Sequence, residues 1–221
     1  MIKLDKVVKQ FGTQPVLRGI SAEFLPGRIY GIIGENGAGK TTLFRCIADL
    51  IPYGGNISKP QRLGFLQTNN YFLPKMTGRE YLRLLCQARK LPAENLDERN
   101  VFDLPLAEYA ENYSTGMKKK LALLGVLLQQ NELLILDEPY NGVDIQSNML
   151  ITAILLELKR LGKTVLISSH IFSTLSDTCD EIFLLREGNF AKHAQPEEFA
   201  RLEREMVGKT VGDRVGRLSL R

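Results

Sequence analysis

The chain has 221 residues, of which 44% are hydrophobic and 24% charged, a composition typical of a globular domain that buries its own core. Its formal net charge of +4 is too small to favour a nucleic-acid-binding protein. The sequence shows neither a secretory signal nor an apolar run long enough to cross a bilayer, so we expect a cytoplasmic protein unless a partner holds it at a membrane.

The first third of the chain predicts a sheet followed by the start of an α/β core. Two stretches of alternating apolar and polar residues, separated by a Gly12-Thr13 turn, are typical of half-buried antiparallel strands. A short apolar run then favours a buried strand, and a helix follows it, ended by Pro52, Gly54 and Gly55. The elements predicted here are strands at 2–11, 16–27 and 28–34, a helix at 40–50 and a strand at 62–67.

The middle of the chain predicts a small helical insertion. Apolar residues recur at helical spacing over 77–91, and Thr77 followed by Glu80 fits a capping box at the helix start. Pro92 and Pro105 bracket polar linkers around this region. We expect an inserted α-helical subdomain at about 68–125.

The rest of the chain predicts alternating buried helices and strands. Apolar runs bounded by turn residues favour parallel-type strands, and Gly162 ends a helix between two of them. The predicted elements are a helix at 118–130, a strand at 133–139, a helix at 147–162, a strand at 164–170 and a hairpin at 181–194. Residues 203–221 are polar and contain several glycines, so we place the end of the domain at 202 and expect a loose tail after it.

One loop carries a phosphate-binding pattern. The pattern G-x-x-x-x-G-K-[ST] is matched by Gly34, Glu35, Asn36, Gly37, Ala38, Gly39, Lys40 and Thr41. Glycines let successive backbone N–H groups point inward at phosphate oxygens, and the following helix directs its N-terminus at the same anion. A glycine-rich turn without function is the alternative, but the apolar strand before the loop and the helix after it favour phosphate binding.

The side chains at the end of this loop have distinct expected roles. Lys40 is expected to reach the outer phosphates, Thr41 to bind Mg²⁺ through its hydroxyl, and Thr42 to add a phosphate contact. Asp137 and Glu138 end a later apolar strand, and ligands of open α/β sheets bind at the carboxyl ends of strands. We expect Asp137 to hold Mg²⁺ through its water shell and Glu138 to polarise the attacking water.

Three further segments indicate a family. Residues 112–117 precede a buried helix, Gln67 ends one predicted strand and His170 ends another. With the phosphate loop and the two carboxylates, their order and spacing over residues 1–200 resemble the nucleotide-binding domain of ATP-binding cassette (ABC) proteins. The resemblance implies an α/β fold with a P-loop NTPase (RecA-like) core, an N-terminal antiparallel β subdomain, an inserted helical subdomain, and ATP and Mg²⁺ as cofactors.

The resemblance also implies roles for individual residues. Phe11 takes the position of the aromatic that stacks on adenine, and Gln67 that of the glutamine that touches Mg²⁺ and the attacking water. His170 matches the switch histidine that contacts the terminal phosphate. Asp144, in the loop 141–144, is implied to contact an opposing subunit.

The family signature, usually written LSGGQ, is matched by residues 113–117. Ser114, Thr115 and Gly116 are implied to contact a nucleotide held by another subunit. Tyr113, Thr115 and Met117 depart from the usual Leu, Gly and Gln, whereas the serine and the second glycine remain. The lysines at 118–120 stand at the helix start, where positive charge is unfavourable; they form either a solvated face or an added attraction for phosphate across a dimer.

These features predict an ATPase that acts as a homodimer or heterodimer of nucleotide-binding domains. The resemblance is strongest to ATPase subunits of bacterial exporters and implies a separate transmembrane permease subunit, which would hold the chain at the inner face of the cell membrane. A non-transport regulator acting in translation or on DNA is the alternative, although we expect no nucleic-acid partner. A small-molecule kinase would leave the signature and His170 unexplained.

Overall fold

The computed structural model describes residues 1–210, with side chains up to residue 206. Its nine strands are β1 Ile2–Phe11, β2 Gln14–Phe24, β3 Ile29–Ile33, β4 Gly54–Ser58, β5 Leu63–Leu66, β6 Leu133–Asp137, β7 Thr164–Ser169, β8 Glu181–Arg186 and β9 Asn189–Ala194. The six α-helices in the same range are α1 Lys40–Ile47, α2 Gly78–Ala88, α3 Thr115–Leu128, α4 Ile145–Arg160, α5 Ser173–Ser176 and α6 Phe199–Thr210.

The N-terminal strands form a small antiparallel sheet in the order β2-β1-β4. The antiparallel subdomain is therefore confirmed, but β4 was missed, because Gly54 and Gly55 indicated only the end of a helix. Gly55 has a φ of +84° and lies so close to β1 that an added Cβ would stand 2.4 Å from the Lys6 carbonyl oxygen. Glycine is required at this position, since any side chain would collide with the neighbouring backbone.

The central sheet has six strands in the order β5-β6-β7-β3-β8-β9. The strands from β5 to β8 are parallel and β9 is antiparallel to β8, as the predicted closing hairpin requires. Both faces of this sheet are covered. Along β6, Leu134 and Leu136 pack into one core with the helical insertion, while Leu133 and Ile135 pack into a second core with α1 and the N-terminal sheet. Burial on both faces explains why these strands are continuous apolar runs.

This topology brings the candidate site together. Strand β3 pairs with β7, and β7 pairs with β6, all parallel, so their carboxyl ends meet at one edge. The phosphate loop follows β3, Asp137 ends β6, and His170 follows β7. The fold therefore places three sequence-distant segments side by side.

The insertion contains the predicted helix α2. Its capping box is present: the Thr77 hydroxyl accepts from the Glu80 N–H at 3.2 Å, and the Glu80 carboxylate accepts from the Thr77 N–H at 2.8 Å. Leu82 and Cys86 are buried on the face toward α3. The helix is thus held by a local cap and by an apolar stripe.

Several predicted element ends differ from the structure by two or three residues, as in α3, predicted at 118–130, and α4, predicted at 147–162. The first helix ends at Ile47 rather than near residue 50. The loose tail expected from Glu203 is wrong for residues 203–210, which continue α6; residues 211–221 lie outside the described part of the chain. Leu202 and Phe199 are buried and anchor α6, which local polarity did not indicate. Over residues 1–210, no helix combines the length and the apolarity that crossing a bilayer requires.

Candidate nucleotide-binding site

The loop between β3 and α1 has the geometry of an anion cradle. Gly37 and Gly39 have φ angles of +85° and +109°, which glycine adopts at no steric cost. An added Cβ at Gly34 would lie 2.4 Å from the Leu185 carbonyl oxygen, so the loop passes directly against β8. No side chain caps the N-terminus of α1, which leaves its first N–H groups available to an anion.

Lys40 lies inside this loop. Its side chain is only 7% exposed, and its ammonium donates to the carbonyl oxygens of Gly34 at 2.6 Å and Glu35 at 3.2 Å. Burial lowers the pKa of Lys40, and the carboxylates of Glu138 and Asp137 oppose that shift. The loop therefore holds a buried cation at the centre of the expected phosphate site.

Asp137 is the most constrained carboxylate of the site. It is completely buried and accepts from three hydroxyls: Thr41 at 2.7 Å and Thr68 at 2.5 Å on one oxygen, and Ser168 at 2.6 Å on the other. Two of the three residues expected to bind Mg²⁺, Thr41 and Asp137, are therefore neighbours, whereas their binding of the ion stays a prediction. Sequence reasoning missed Thr68 and Ser168, although each stands at the carboxyl end of a strand beside β6.

Glu138 and His170 form a pair beside Asp137. One Glu138 carboxylate oxygen lies 2.9 Å from His170 Nδ1, and the other lies 3.8 Å from the Lys40 ammonium. The backbone of Glu138 is left-handed, with a φ of +53°, and its N–H donates to the Ser168 hydroxyl at 3.0 Å. Non-glycine residues are uncommon in this conformation, although residues that follow helix ends, such as Asp49 and Gln130, share it here.

Most of the predicted residues line one cleft of about 570 Å³. Its lining includes the predicted residues Glu35, Asn36, Gly37, Gly39, Lys40, Thr41, Thr42, Glu138 and His170, together with Val16, Thr68 and Asn141. Gly34 and Ala38 face an adjoining cleft that also reaches His170. Thr68, not Gln67, lines the main cleft.

Phe11 stands at the end of β1, outside the lining of either cleft. It is 51% exposed, and the Lys9 ammonium lies 4.9 Å from the centre of its ring. An exposed ring at a strand end is available for stacking, but its role with adenine stays a prediction.

The signature segment lies outside the lining of both clefts. Ser114 caps α3, and its hydroxyl accepts from the Met117 N–H at 3.2 Å. Gly116 packs against the loop 141–144, since an added Cβ would lie 2.6 Å from the Gly142 carbonyl oxygen. The cap and this backbone contact fix the direction in which the first N–H groups of α3 point.

Tyr113, which replaces the usual leucine of the signature, ties α3 to the insertion. Its ring is 4% exposed and its hydroxyl donates to the Pro105 carbonyl oxygen at 2.7 Å. An added Cβ at Gly78 would lie 2.6 Å from that hydroxyl, so Tyr113 also closes over the start of α2. The departure from the family pattern is accommodated by a hydrogen bond that leucine could not make.

Two of the three lysines at 118–120 have partners within their own chain. Lys120 donates to the Asp144 carboxylate at 3.1 Å, and Ser147 and Lys120 together lower the pKa of Asp144 well below its usual range. Lys119 is 4% exposed and donates to the Thr68 carbonyl oxygen at 2.7 Å. Both interpretations offered for Lys119, a solvated face and an attraction for a partner's phosphate, are therefore wrong, because its charge points into its own subunit.

If the signature acts as the family resemblance implies, Gly116→Ala should lower ATP hydrolysis by about tenfold or more, because the methyl group would displace the signature from the Gly142 backbone, and small displacements carry large effects on rate. Binding of ATP to the isolated chain should stay within about twofold, since the phosphate loop is untouched. Steady-state hydrolysis and titration with a fluorescent ATP analogue measure the two effects. Wild-type hydrolysis in this variant would contradict the importance of the contact.

The fold and the site together define a P-loop nucleotide-binding protein. The loop, the buried lysine and the hydroxyl-bound Asp137 occupy the carboxyl edge of a parallel sheet, where such proteins bind phosphates.

Comparison with known proteins identifies the family within this class of P-loop proteins. The sequence profile of the ABC transporter family matches residues 17–141, more than half of the chain. An uncharacterized ABC transporter ATP-binding protein of Nostoc sp. strain PCC 7120 is 34% identical over 192 residues, covering 78% of this chain and 57% of that relative. The bacitracin transport ATP-binding protein BcrA of Enterococcus faecalis is 29% identical over 231 residues, covering 96% of this chain and 75% of BcrA.

A solved structure supports the fold. The dimeric structure of an ATP-binding cassette in a post-hydrolysis state, bound to ADP and phosphate, superposes with a TM-score of 0.80 at 18% identity, covering 89% of this chain and 99% of that chain. The chain therefore belongs to the ABC transporter family, as one of its ATP-binding proteins.

Proposed function

We propose that two copies of this chain, or this chain and a related one, bind ATP between them in a head-to-tail pair. The observation that carries the proposal is that Ser114–Gly116 lie outside the lining of their own chain's phosphate clefts. The uncapped N–H groups of the Gly39–Thr41 segment and the signature of a second subunit would then enclose one nucleotide. Binding of ATP closes the pair, and hydrolysis releases it.

In this proposed site, each side chain has its own role in hydrolysis. Lys40 neutralises the outer phosphates, and Glu138 accepts a proton from the attacking water, with His170 holding that carboxylate at 2.9 Å. Gln67 is proposed to contact Mg²⁺ and the same water, and Phe11 to stack on adenine.

The oxygen donors of the site fit Mg²⁺. Thr41 and Asp137 present a hydroxyl and a carboxylate oxygen 2.7 Å apart, a pair of hard ligands of the kind Mg²⁺ prefers. Mg²⁺ is usually bound by one or two protein carboxylates together with substrate phosphates and water, so Gln67, the phosphates and water would supply the other ligands. The ion, when bound, neutralises charge that develops on the phosphates.

Complementation between two inactive variants tests the paired site. Lys40→Met removes the phosphate contact of one chain, and Ser114→Arg blocks the signature of another, so each variant alone should hydrolyse ATP poorly. A one-to-one mixture should recover about a quarter of wild-type activity, because half of the pairs are mixed and each holds one intact site. Absence of recovery, with both variants folded and able to pair, would contradict a site shared between subunits.

We further propose that a separate transmembrane subunit docks on the insertion and holds the chain at the cytoplasmic face of the membrane. Tyr71, Leu73 and Tyr109 are 78%, 50% and 45% exposed. The Met76 N–H donates to the Leu73 carbonyl oxygen, and the Met76 carbonyl oxygen accepts from the Ala110 N–H. These bonds bring the segment that carries Leu73 next to the segment that carries Tyr109. Such an apolar patch near Gln67 supports a docking site for a cytoplasmic segment of a membrane protein. The Tyr-Ser-x-Gly-Met signature supports export as the direction of transport.

Affinity purification in mild detergent tests this partner. We expect an integral membrane protein to co-purify with the wild-type chain, and the double variant Tyr71→Ser/Leu73→Ser to lose most of it because the apolar contact area is removed. Leu25→Ser is the matched control, since Leu25 is 47% exposed but lies between β2 and β3. Co-purification of ribosomes or nucleic acid in place of a membrane protein would instead support the regulator alternative, which no comparison favours.

A further inference from the structure

A buried lysine in the signature helix has no part in the nucleotide contacts described above. Lys119 lies in the second turn of α3, and its side chain is 4% exposed. Its ammonium donates to the Thr68 carbonyl oxygen at 2.7 Å and lies 3.5 Å from the carbonyl oxygen of Gln67. Both carbonyls belong to the segment that leaves β5 and enters the insertion.

The position is unfavourable for a lysine. Burial lowers the pKa of Lys119, with Asp137 and Glu138 opposing the shift. An apolar side chain of similar volume would avoid the cost of burying the charge. A residue that is locally unfavourable and yet hydrogen-bonded to the backbone of a neighbouring segment is typical of a functional constraint.

The segment held by Lys119 reaches the magnesium site directly. The Thr68 hydroxyl donates to Asp137 at 2.5 Å, on the same carboxylate oxygen that accepts from Thr41 at 2.7 Å. The Lys119 ammonium therefore holds the backbone of the residue whose side chain orients the Mg²⁺ ligand. Partners of this kind orient metal ligands, and their loss typically weakens metal affinity or activity by about 10–100-fold.

Lys119 also belongs to the element that carries the signature. Ser114 caps α3, and the helix is continuous from Thr115 to Leu128, so Ser114 and Lys119 move together. A shift of α3 as Ser114 engages a partner's nucleotide would be passed through Lys119 to Thr68 and then to Asp137.

We propose that Lys119 is a positioning residue that couples the signature helix to the magnesium site of its own chain, and so links the two nucleotide sites of a pair. The link between sites rests on the proposed paired site, whereas the effect on the Mg²⁺ ligands is a property of the single chain. The chain of contacts runs from Ser114 through α3 and Lys119 to Thr68 and Asp137.

Two variants of Lys119 and one control test the proposal. Lys119→Met keeps the volume and removes the donor, and Lys119→Arg keeps a donor and the charge. Lys59→Met is the matched control, because Lys59 also donates to a backbone carbonyl, that of Ile47, and to Asp49, away from Asp137. The measurements are ATP affinity with and without Mg²⁺, hydrogen exchange of residues 67–70 in the nucleotide-free chain, and the kcat and KM of hydrolysis.

We expect Lys119→Met to keep its melting temperature within about 3 °C, since an apolar replacement of a buried charge is often neutral. The gain in ATP affinity on adding Mg²⁺ should fall about tenfold, and KM should rise by about the same factor because slow chemistry brings KM close to the dissociation constant. The kcat should fall about 10–100-fold, and exchange at 67–70 should accelerate. Lys119→Arg should restore kcat to within about fivefold of wild type, and Lys59→Met should match wild type.

The positioning role of Lys119 and its link between the two nucleotide sites are overturned by different results. An unchanged Mg²⁺ effect and unchanged exchange in Lys119→Met would overturn the positioning role, whatever the oligomeric state. If Lys119→Met fails to fold, Lys119→Gln replaces it. The positioning role would likewise be overturned if Lys119→Gln had the same Mg²⁺ effect, hydrogen exchange and kcat as the control Lys59→Met. If the Mg²⁺ effect falls while complementation between chains is absent, the paired site fails and the positioning role stands. If cooperativity between sites survives in Lys119→Met, the link between sites is overturned.

Discussion

Glu138→Gln is expected to lower ATP hydrolysis by about 10²–10³-fold while ATP still binds, because the amide cannot accept the proton of the attacking water. The replacement keeps the size of the side chain and a hydrogen bond to His170 at the present distance of 2.9 Å. The loop residues that cradle the phosphates are unchanged. Bound ATP should therefore persist and hold the pair closed, so that size-exclusion chromatography with ATP and Mg²⁺ shows a stable dimer.

Glu132→Gln is the control for this variant. Glu132 is an exposed residue immediately before β6, at the end of the strand opposite to Glu138. The control should hydrolyse ATP at the wild-type rate and remain in the same equilibrium between monomer and dimer. A wild-type rate in Glu138→Gln itself would remove Glu138 from its role as the general base.

Lys40→Met is expected to weaken ATP binding by about 100-fold, because the buried ammonium is the cation at the centre of the phosphate loop. The unfolding free energy should stay within about 1 kcal/mol of wild type, since burial already lowers the pKa of Lys40 and the methionine removes that desolvation cost. Isothermal titration with ATP and urea denaturation measure the two effects separately.

Lys59→Met serves as the control for Lys40→Met, because Lys59 contacts the other end of α1, at Ile47. Its ATP affinity should equal that of the wild type. Retained ATP affinity in Lys40→Met would show that the loop binds phosphate through its backbone alone. A joint loss of affinity and of folding would instead show that Lys40 acts through stability.

The backbone of the candidate phosphate loop could be predicted almost entirely from local sequence. The pattern from Gly34 to Thr41 specifies its own backbone conformation, since Gly37 and Gly39 adopt positive φ angles that other residues avoid. Asp137 and Glu138 could be placed at the same edge because an apolar run that ends in carboxylates predicts a parallel strand. Each of these two predictions depended only on residues that are close together in the sequence.

The partners of these residues could not be predicted in the same way. Thr68 and Ser168 donate to Asp137 from segments 69 and 31 residues away, and neither belongs to a recognisable pattern. Strand β4 forms because β1 lies beside it, although its own sequence begins with two glycines. Helix α6 continues past Glu203 because Phe199 and Leu202 are buried.

The class of the candidate site, the order of the elements and the residue types of the loop follow from local sequence, because backbone conformations and apolar periods are encoded within short stretches. The direction in which charges such as that of Lys119 point depends instead on how the helices and strands pack. The three lysines at 118–120 are identical in type, yet Lys119 faces the Thr68 carbonyl inside the chain and Lys120 pairs with Asp144. Successive residues on a helix point about 100° apart, so the packing around α3 assigns each side chain its own environment.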